Sequence, residues 1–121
     1  MAWEVEFIDE FEQWWNALSE SEQGKVDARV SLLMEHGPNL GFPFSSQVKM
    51  SRFPEMRELR AQAGGDPLRI LYAFDPRRTA ILLIGGDKTG DERWYEKNVP
   101  LGDRLFELHL KTLEKEKADN V

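Results

Sequence analysis

The chain has 121 residues, no cysteine and a formal net charge of -6, and 40% of its residues are apolar. This length and apolar content fit one folded domain over residues 1–121 and exclude a chain that is disordered throughout. The lack of cysteine excludes a disulfide scaffold, a thiol nucleophile and a zinc site with sulfur ligands. Because the sequence has no apolar run that spans a bilayer and no signal peptide, we expect a cytoplasmic protein.

The first third of the chain predicts one strand and two helices. Apolar residues alternate with glutamates over residues 2–8, which is the period of a strand. A short helix follows, with apolar residues at helical spacing: Phe11, Trp14, Trp15 and Leu18. Ser19 and Glu22 have the spacing of a capping box, which predicts a second helix that ends near His36. The short link between the helices favours an antiparallel hairpin.

The middle of the chain predicts a loop and then a sheet. Residues 37–55 are rich in glycine, proline and serine and predict a surface loop, with a short extended piece near residues 47–50. Three runs of strand character follow and predict an antiparallel meander: 56–62, 68–75 and 79–85, separated by turns at 63–67 and 75–78.

The last part predicts a loop and a helix. Residues 85–92 are polar and flexible, and Pro100 suits the first turn of a final helix. The charged tail, residues 114–121, is expected to fray. The order β-α-α-β-β-β-α predicts an α+β fold class, a small antiparallel or mixed sheet with an N-terminal helical hairpin on one face and a C-terminal helix.

The charges are unevenly distributed. Residues 1–48 hold two basic residues against nine acids, whereas residues 49–104 hold eleven against nine. A polyanion is therefore expected to bind the middle of the chain. The alternative is that mixed charges only hydrate strand edges and turns.

The middle also carries a set of residues that suits phosphoryl chemistry. If the three strands are adjacent, these side chains converge at one end of the sheet: Arg57, Arg60, Arg69, Lys88, Arg93, Trp94 and Tyr95. Cations stabilise a phosphorane, a positioned base moves a proton, and Trp94 and Tyr95 offer faces to an unpaired base. Each residue also has a structural explanation, because the arginines can pair with Glu58 or Asp66 and the aromatic pair can belong to the core.

Other chemistry is not favoured. The glycine-rich residues 85–90 lack the spacing of a nucleotide-binding P-loop. The carboxylates Asp87, Asp91 and Glu92 lie among basic residues and are expected to hydrate a loop. We therefore predict no metal site and no cofactor. His109 is expected to have a structural role.

From Gly41 to Leu110 the sequence resembles the RelE/HigB/ParE toxin superfamily of bacterial type II toxin–antitoxin systems, nearest to its phage-derived, HigB-like branch. The resemblance lies in Met56-Arg57-Glu58-Leu59-Arg60, Leu68-Arg69-Ile70-Leu71-Tyr72, Gly86-Asp87-Lys88-Thr89 and Arg93-Trp94-Tyr95. It implies a RelE-like fold and a ribosome-dependent mRNA endonuclease, or mRNA interferase, that works without metal in the ribosomal A site. It also implies a helix-turn-helix, HigA-like antitoxin as partner, and with it a toxin–antitoxin hetero-oligomer.

The resemblance implies catalytic roles for four residues. Arg69 would hold the scissile phosphate, and Lys88 would act as the acid or base. Arg93 would support the leaving group, and Tyr95 would orient or deprotonate the attacking 2′-hydroxyl or stack on a base. The RNA-binding residues are expected to be Arg57, Arg60 and Trp94.

Two other functions remain open at this stage. A ParE-like inhibitor of DNA gyrase would have no nuclease activity, and the presence of Arg69 and Tyr95 argues against it. A degenerate domain that only binds its antitoxin is kept open by the acidic net charge, because ribosome binding depends on basic contacts with RNA.

Overall fold

The computed structural model of the chain describes residues 2–119. Three helices and five strands follow in the order β1 (Val5–Phe7), α1 (Asp9–Asn16), α2 (Glu20–His36), β2 (Ser45–Gln47), β3 (Arg57–Ala63), β4 (Asp66–Phe74), β5 (Ala80–Asp87) and α3 (Trp94–Asp119). The predicted α+β class is confirmed. The short strand of the long loop, β2, ends at Gln47, where the extended piece was expected to begin. No helix within these residues is long and apolar enough to cross a membrane.

One mixed sheet organises the fold. Its strand order is β1-β5-β4-β3-β2, in which β1 runs parallel to β5 and the other neighbours are antiparallel. The predicted meander is thus the centre of the sheet. The turn between β3 and β4 needs only Gly64 and Gly65, which both have positive φ values, 58° and 89°. Glycine adopts this backbone conformation without the steric cost that a Cβ brings.

The two faces of the sheet are covered by different helices. Along β4, Leu68, Ile70 and Tyr72 pack on the face that α1 and α2 cover, whereas Leu71 and Ala73 pack on the face that α3 covers. This near-continuous apolar run is typical of a central strand that is buried on both sides. Side chains of neighbouring positions in β3 and β4 therefore belong to opposite layers, which decides which charged residues can meet.

The N-terminal helices begin and end where the sequence predicts. The Ser19 hydroxyl accepts from the Glu22 N–H at 3.1 Å and the Glu22 carboxylate accepts from the Ser19 N–H at 2.9 Å, which completes the capping box. Helix α2 ends at His36 because Gly37 turns the chain with a φ of 58°. A Cβ on Gly37 would lie 2.4 Å from the ring of Trp3, so no larger residue fits there.

Helix α3 begins at Trp94 and includes Pro100, so the prediction that Pro100 opens this helix is wrong. The cause is the burial of Trp94, which is 4% exposed and packs against Gly86 of β5. This anchor fixes the helix start before the proline, although Pro100 has no N–H to donate to the carbonyl of Glu96. The helix also continues through the charged segment to Asp119, where a frayed tail was expected; residues 120 and 121 lie outside the described residues.

A buried carboxylate joins the β4–β5 turn to α3. Asp75 accepts from the Arg77 guanidinium at 2.8 Å, from the Thr79 N–H at 3.3 Å and from the His109 ring, whose Nε2 lies 2.9 Å away. Burial alone would raise the pKa of Asp75, but these hydrogen bonds outweigh it and lower the pKa below its ordinary value. His109 therefore contacts a structural carboxylate.

Candidate active site

Charged side chains and one phenol meet on the α3-covered face of the sheet, near the β3–β4 turn. Alternation along β3 places Glu58 and Arg60 on this face, and the register sets Arg60 opposite Arg69 of β4. The Lys88 N–H donates to the Pro67 carbonyl at 3.1 Å, which holds the loop after β5 beside the start of β4. The first turn of α3 adds Tyr95.

Glu58 lies at the centre of this cluster. Its side chain is 5% exposed, and one oxygen, Oε1, accepts from the Arg60 guanidinium at 3.1 Å and from the Tyr95 hydroxyl at 2.9 Å. The same oxygen lies 3.3 Å from the Arg69 Nε. A buried carboxylate is stable only when cations and donors surround it. Glu58 therefore sets the positions of three side chains that the sequence predicted as functional.

Arg69 is the most buried cation of the site. Its side chain is 6% exposed, and Nη1 donates to the carbonyl of Leu68 at 2.9 Å. Its Nε is at ion-pair distance from Glu58 but is not aligned for a hydrogen bond, so this N–H has no acceptor among residues 2–119. Arg69 supplies a positive charge beneath the surface rather than a guanidinium that is open to solvent.

The surroundings of Lys88 lower the pKa of its ammonium group. Burial lowers its pKa, the nearby Arg69 and Arg60 lower it further, and Glu58 partly opposes them. The ammonium nitrogen lies 5.3 Å from the centre of the Tyr95 ring. A lowered pKa increases the fraction of a lysine side chain that is neutral near neutral pH, and only the neutral amine can act as a general base.

The pKa of Tyr95 is raised, in contrast to that of Lys88. Burial raises its pKa, and the hydrogen bond to Glu58 raises it as well, against a smaller effect of Arg69. Its phenol therefore keeps its proton near neutral pH and donates it to Glu58. This environment suits an orienting or stacking role and does not suit the role of a base, which was the other role expected for Tyr95.

An open groove lies next to these residues. It has a volume of about 580 Å³ and is lined by Lys88, Gly90, Asp91, Glu92, Arg93 and Tyr95. The Arg93 side chain is 76% exposed, and its Nε donates to Glu96 one turn further along α3 at 3.0 Å. Since this pair is exposed, a competing phosphate can displace it at little cost. The groove thus presents a lysine, an arginine and a phenol ring together.

The expected base-stacking role of Trp94 is corrected by the structure. Its indole is 4% exposed and packs in the core beneath α3, edge-on to the Tyr95 ring with centroids 5.2 Å apart. No face of the indole is left for a nucleobase. The structural explanation weighed for Trp94 is the right one, and Tyr95 is the aromatic side chain that lines the groove.

The expected convergence of Arg57 with the other cations is also wrong. Arg57 precedes Glu58 in β3, so its side chain leaves the opposite face of the sheet, where its Nε donates to the Ser45 hydroxyl at 3.0 Å. Arg60 does lie in the cluster, but it is paired with Glu58 and lies over the ring of Phe42, 5.3 Å from its centre.

Glu58 is the residue that the sequence interpretation undervalued, since it was considered only as a surface partner for an arginine. The signal was present, because Glu58 shares the period of Arg60 within a strand whose other positions are mostly apolar. An acid on a covered sheet face must find cations there. Within residues 2–119 no three side chains that could ligate a metal come together.

The chain is similar to a family of phage-derived proteins. The family model described as phage-derived protein Gp49-like matches residues 13–107. Two Mycobacterium tuberculosis proteins named as toxins are also similar. HigB3 is 43% identical over 107 residues, covering 88% of this chain and 92% of HigB3. HigB2 is 38% identical over 109 residues, covering 88% of this chain and 54% of HigB2.

Solved structures with a similar fold are toxins of the RelE group. A double-arginine mutant of the E. coli toxin RelE in the free state has a TM-score of 0.59 at 13% identity, covering 79% of this chain and 94% of RelE. The RelE–RelB complex of the archaeon Pyrococcus horikoshii has a TM-score of 0.54 at 14% identity, covering 73% of this chain and 97% of the matched one. At this identity the likeness shows the fold.

Proposed function

This chain belongs to the Gp49-like family and to the RelE/HigB toxins of type II toxin–antitoxin systems, and we propose that it inhibits translation by cleaving mRNA in the ribosomal A site. Its work on ribosomes would place it in the cytoplasm, and its partner would be a HigA-like antitoxin. The observation that carries the proposal is the open groove, in which Lys88 with a lowered pKa lies beside Tyr95 and Arg93 and above the buried charge of Arg69.

Lys88 is the proposed proton acceptor. A neutral amine takes the proton of the ribose 2′-hydroxyl, and the 2′-oxygen attacks the adjacent phosphorus. The bond from phosphorus to the 5′-oxygen then breaks. The products are an RNA end with a 2′,3′-cyclic phosphate and an RNA end with a 5′-hydroxyl, whose oxygen takes its proton from solvent.

Two arginines stabilise the charge of this reaction in different ways. Arg93 is exposed on the groove and can form paired hydrogen bonds with phosphate oxygens once it leaves Glu96. Arg69 is buried beside Glu58, so it acts through its field, which lowers the pKa of Lys88 and favours negative charge above it. The direct phosphate contact first expected for Arg69 is therefore assigned to Arg93.

Tyr95 forms the wall of the groove. Its ring faces Lys88, and its hydroxyl is held by Glu58, so the ring plane is fixed before RNA binds. A nucleobase stacked on a fixed aromatic ring gains about 1–3 kcal/mol. This stacking would hold the ribose next to Lys88.

The test is mRNA cleavage in a bacterial translation extract. Primer extension on a reporter mRNA locates the cuts, and end analysis detects the cyclic phosphate. We expect cuts at A-site codons with the wild-type protein and a loss of about 100-fold or more with Lys88→Ala, which is the usual contribution of a general base. Lys88→Arg keeps the charge and lacks a titratable amine, so it should be similarly inactive.

Lys111→Ala is the matched control, since it removes one exposed cation of α3 far along the helix from Tyr95. Its cleavage should equal that of the wild type. Wild-type cleavage by both Lys88 variants would refute the base assignment. Growth arrest with DNA damage and intact mRNA would favour a gyrase inhibitor, and no arrest at all would favour a domain that only binds its antitoxin.

A further inference from the structure

A second pocket lies beside the active-site groove, at the edge of the sheet next to β3. Its volume is about 230 Å³. Pockets for drug-sized ligands usually have about 300–1,000 Å³, so this one takes only a small group. Three arginines line it, Arg29, Arg60 and Arg69, and no acidic side chain of residues 2–119 does. The pocket is therefore suited to an anion.

Arg29 reaches this pocket from helix α2. Its Nε donates to the Arg60 carbonyl at 2.9 Å, and its guanidinium carbon lies 4.8 Å from the centre of the Phe44 ring. Neither contact brings a counter-charge to Arg29, and together they hold its guanidinium plane in place. A guanidinium that is already positioned loses little conformational freedom when it forms paired hydrogen bonds with a phosphate.

The other two arginines share one carboxylate. Oε1 of Glu58 lies 3.1 Å from the Arg60 Nη1 and 3.3 Å from the Arg69 Nε. The side chain of Arg69 is 6% exposed, and its Nε has no acceptor among residues 2–119. Like charges held close together repel one another, and a buried donor without an acceptor is costly. An anion in the pocket would bring negative charge to all three arginines.

The backbone of β3 adds a further donor. Pairing of β2 with β3 ends at Leu59, and the next residue, Arg60, donates its N–H to the Phe44 carbonyl at 2.8 Å. Backbone groups of a strand point to the same side at every second residue, so the Gln62 N–H leaves the sheet at this edge. No strand of the described residues lies beside it there. Gln62 lines the pocket and thus adds a backbone N–H to the three guanidinium groups.

The pocket and the active-site groove share a wall. The hydroxyl of Tyr95, which lines the groove, donates to Glu58 at 2.9 Å. Glu58 in turn pairs with Arg60 and Arg69, which line the pocket. An extended strand of RNA in the groove can therefore continue into the pocket.

An exposed aromatic ring lies next to these arginines. Phe42 is 77% exposed, and its ring centre lies 5.3 Å from the guanidinium carbon of Arg60. Cations that contact the backbone and aromatic rings that stack on bases are the two parts of a site for single-stranded nucleic acid. This combination favours an RNA phosphate over a carboxylate of a protein partner.

We propose that the pocket binds the phosphate of the RNA linkage next to the scissile one, and that Phe42 stacks on the adjoining nucleobase. Arg29 and Arg60 donate to the phosphate oxygens, and Arg69 contributes its charge from beneath the surface. The pocket thus holds the strand in place while Lys88 acts on the neighbouring linkage. This inference rests on the proposed function, since it takes RNA as the substrate.

RNA binding tests the pocket. The ligand is a short single-stranded RNA with a methyl group on every 2′-oxygen, which has no attacking hydroxyl and stays intact. Fluorescence anisotropy at low salt gives its affinity for the full-length protein. Arg29→Gln should weaken binding by about tenfold, because a hydrogen bond between charged groups is lost. It should also reduce the slope of log affinity against log salt concentration by about 0.7, the value for one phosphate contact on a single strand.

Arg104→Gln is the matched control. It removes an exposed arginine of α3 that does not line the pocket, and it should change the affinity by less than about twofold. An equal loss in both variants would show an effect of net charge and overturn the inference. Wild-type protein that binds no RNA at low salt would overturn it as well.

A neutral linkage locates the bound phosphate. In a series of the same RNA, one methylphosphonate replaces each phosphodiester in turn. At one position the wild type should bind about tenfold less tightly, whereas Arg29→Gln should lose nothing further there, because the contact is already absent. Losses that add independently to that of Arg29→Gln at every position would refute the contact.

NMR of the arginine Nε–H groups identifies the occupant. We expect the methylated RNA to shift the signals of Arg29 and Arg69. A hexaglutamate peptide is the comparison. If the peptide shifts both signals and the RNA shifts neither, the pocket binds an acidic protein segment and the inference is wrong.

mRNA cleavage separates this inference from the proposed function. If the wild type cleaves mRNA and Arg29→Gln binds the methylated RNA as tightly as the wild type, only the pocket is wrong. If Arg29→Gln weakens RNA binding as expected and the wild type cleaves no mRNA, the pocket stands and the proposed function fails.

Discussion

Glu58 is the counter-charge at the centre of the site, and its replacement by glutamine is the sharpest test of that arrangement. Glu58→Gln keeps the length of the side chain and an oxygen for the Tyr95 hydroxyl, but it removes the negative charge. Arg69, whose side chain is 6% exposed, then lacks a counter-ion. Breaking a buried ion pair costs about 3–5 kcal/mol. We expect a loss of about 3 kcal/mol in the free energy of unfolding, because Arg60 remains partly hydrated and needs Glu58 less.

The same substitution should shift the pH dependence of cleavage. The pKa of Lys88 is lowered by burial and by Arg69, and Glu58 is the neighbour that raises it. Without that charge the Lys88 ammonium loses its proton at lower pH, so the acid limb of the pH–rate profile moves to lower pH. A substitution that only loosened the fold would reduce the amplitude of the profile and leave the limb in place.

Two measurements decide the matter. Urea unfolding followed by tryptophan fluorescence gives the free energy, and cleavage rates across neutral and alkaline pH give the limb. Glu107→Gln serves as the control, since it removes an exposed carboxylate that pairs with Arg52 and should change neither readout. The reasoning is refuted if Glu58→Gln unfolds at the wild-type urea midpoint and keeps the wild-type limb.

Four further outcomes are expected from other parts of the structure. Asp75→Asn should lower the thermal midpoint at neutral pH, and melts at decreasing pH should show the difference vanishing, because the lowered pKa of Asp75 stabilises the fold only while the carboxyl is charged. Gly86→Ala would place a Cβ 2.5 Å from the Trp94 Nε1 and should cost about 1–3 kcal/mol in urea unfolding. Gly24→Ala, with open space around it in α2, should instead add up to about 1 kcal/mol. Arg57→Gln should leave mRNA cleavage within a few-fold of wild type, and a loss like that of Lys88→Ala would contradict its placement on the other face.

Local patterns predicted most of the fold because each element carries its own signal. The capping box at Ser19 and the alternation before Phe7 depend on neighbours within a few residues. The pairing of Val5 with Ala80 has no such signal, since it joins positions that are 75 residues apart in the sequence. The start of α3 was missed for a related reason, because contact with Gly86 outweighs the local preference of proline for a first turn.

Five of the seven side chains predicted for the candidate site lie together in the structure, whereas Arg57 and Trp94 do not. The strand register that sets Arg60 opposite Arg69 follows from a two-residue turn, and it explains why these cations converge. Side chains alternate between the two faces of a sheet along a strand, so Arg57 and Glu58, which are adjacent in β3, lie on opposite faces. This alternation could have corrected the prediction for Arg57. The sequence alone does not show which of two adjacent aromatic side chains is buried. It therefore did not predict that Trp94 is covered while Tyr95, one position later, lines the groove.

The contacts around Asp75 join the beginning of the polypeptide to its end. Glu6 of β1 contacts Arg77, Arg77 contacts Asp75, and Asp75 contacts His109 of α3. The helix that carries His109 also carries Tyr95, so this junction holds α3, and with it one wall of the groove, against the β1 edge of the sheet. On the proposed function, a substitution that breaks the Asp75 contacts would therefore loosen the nuclease site without touching any residue that lines it.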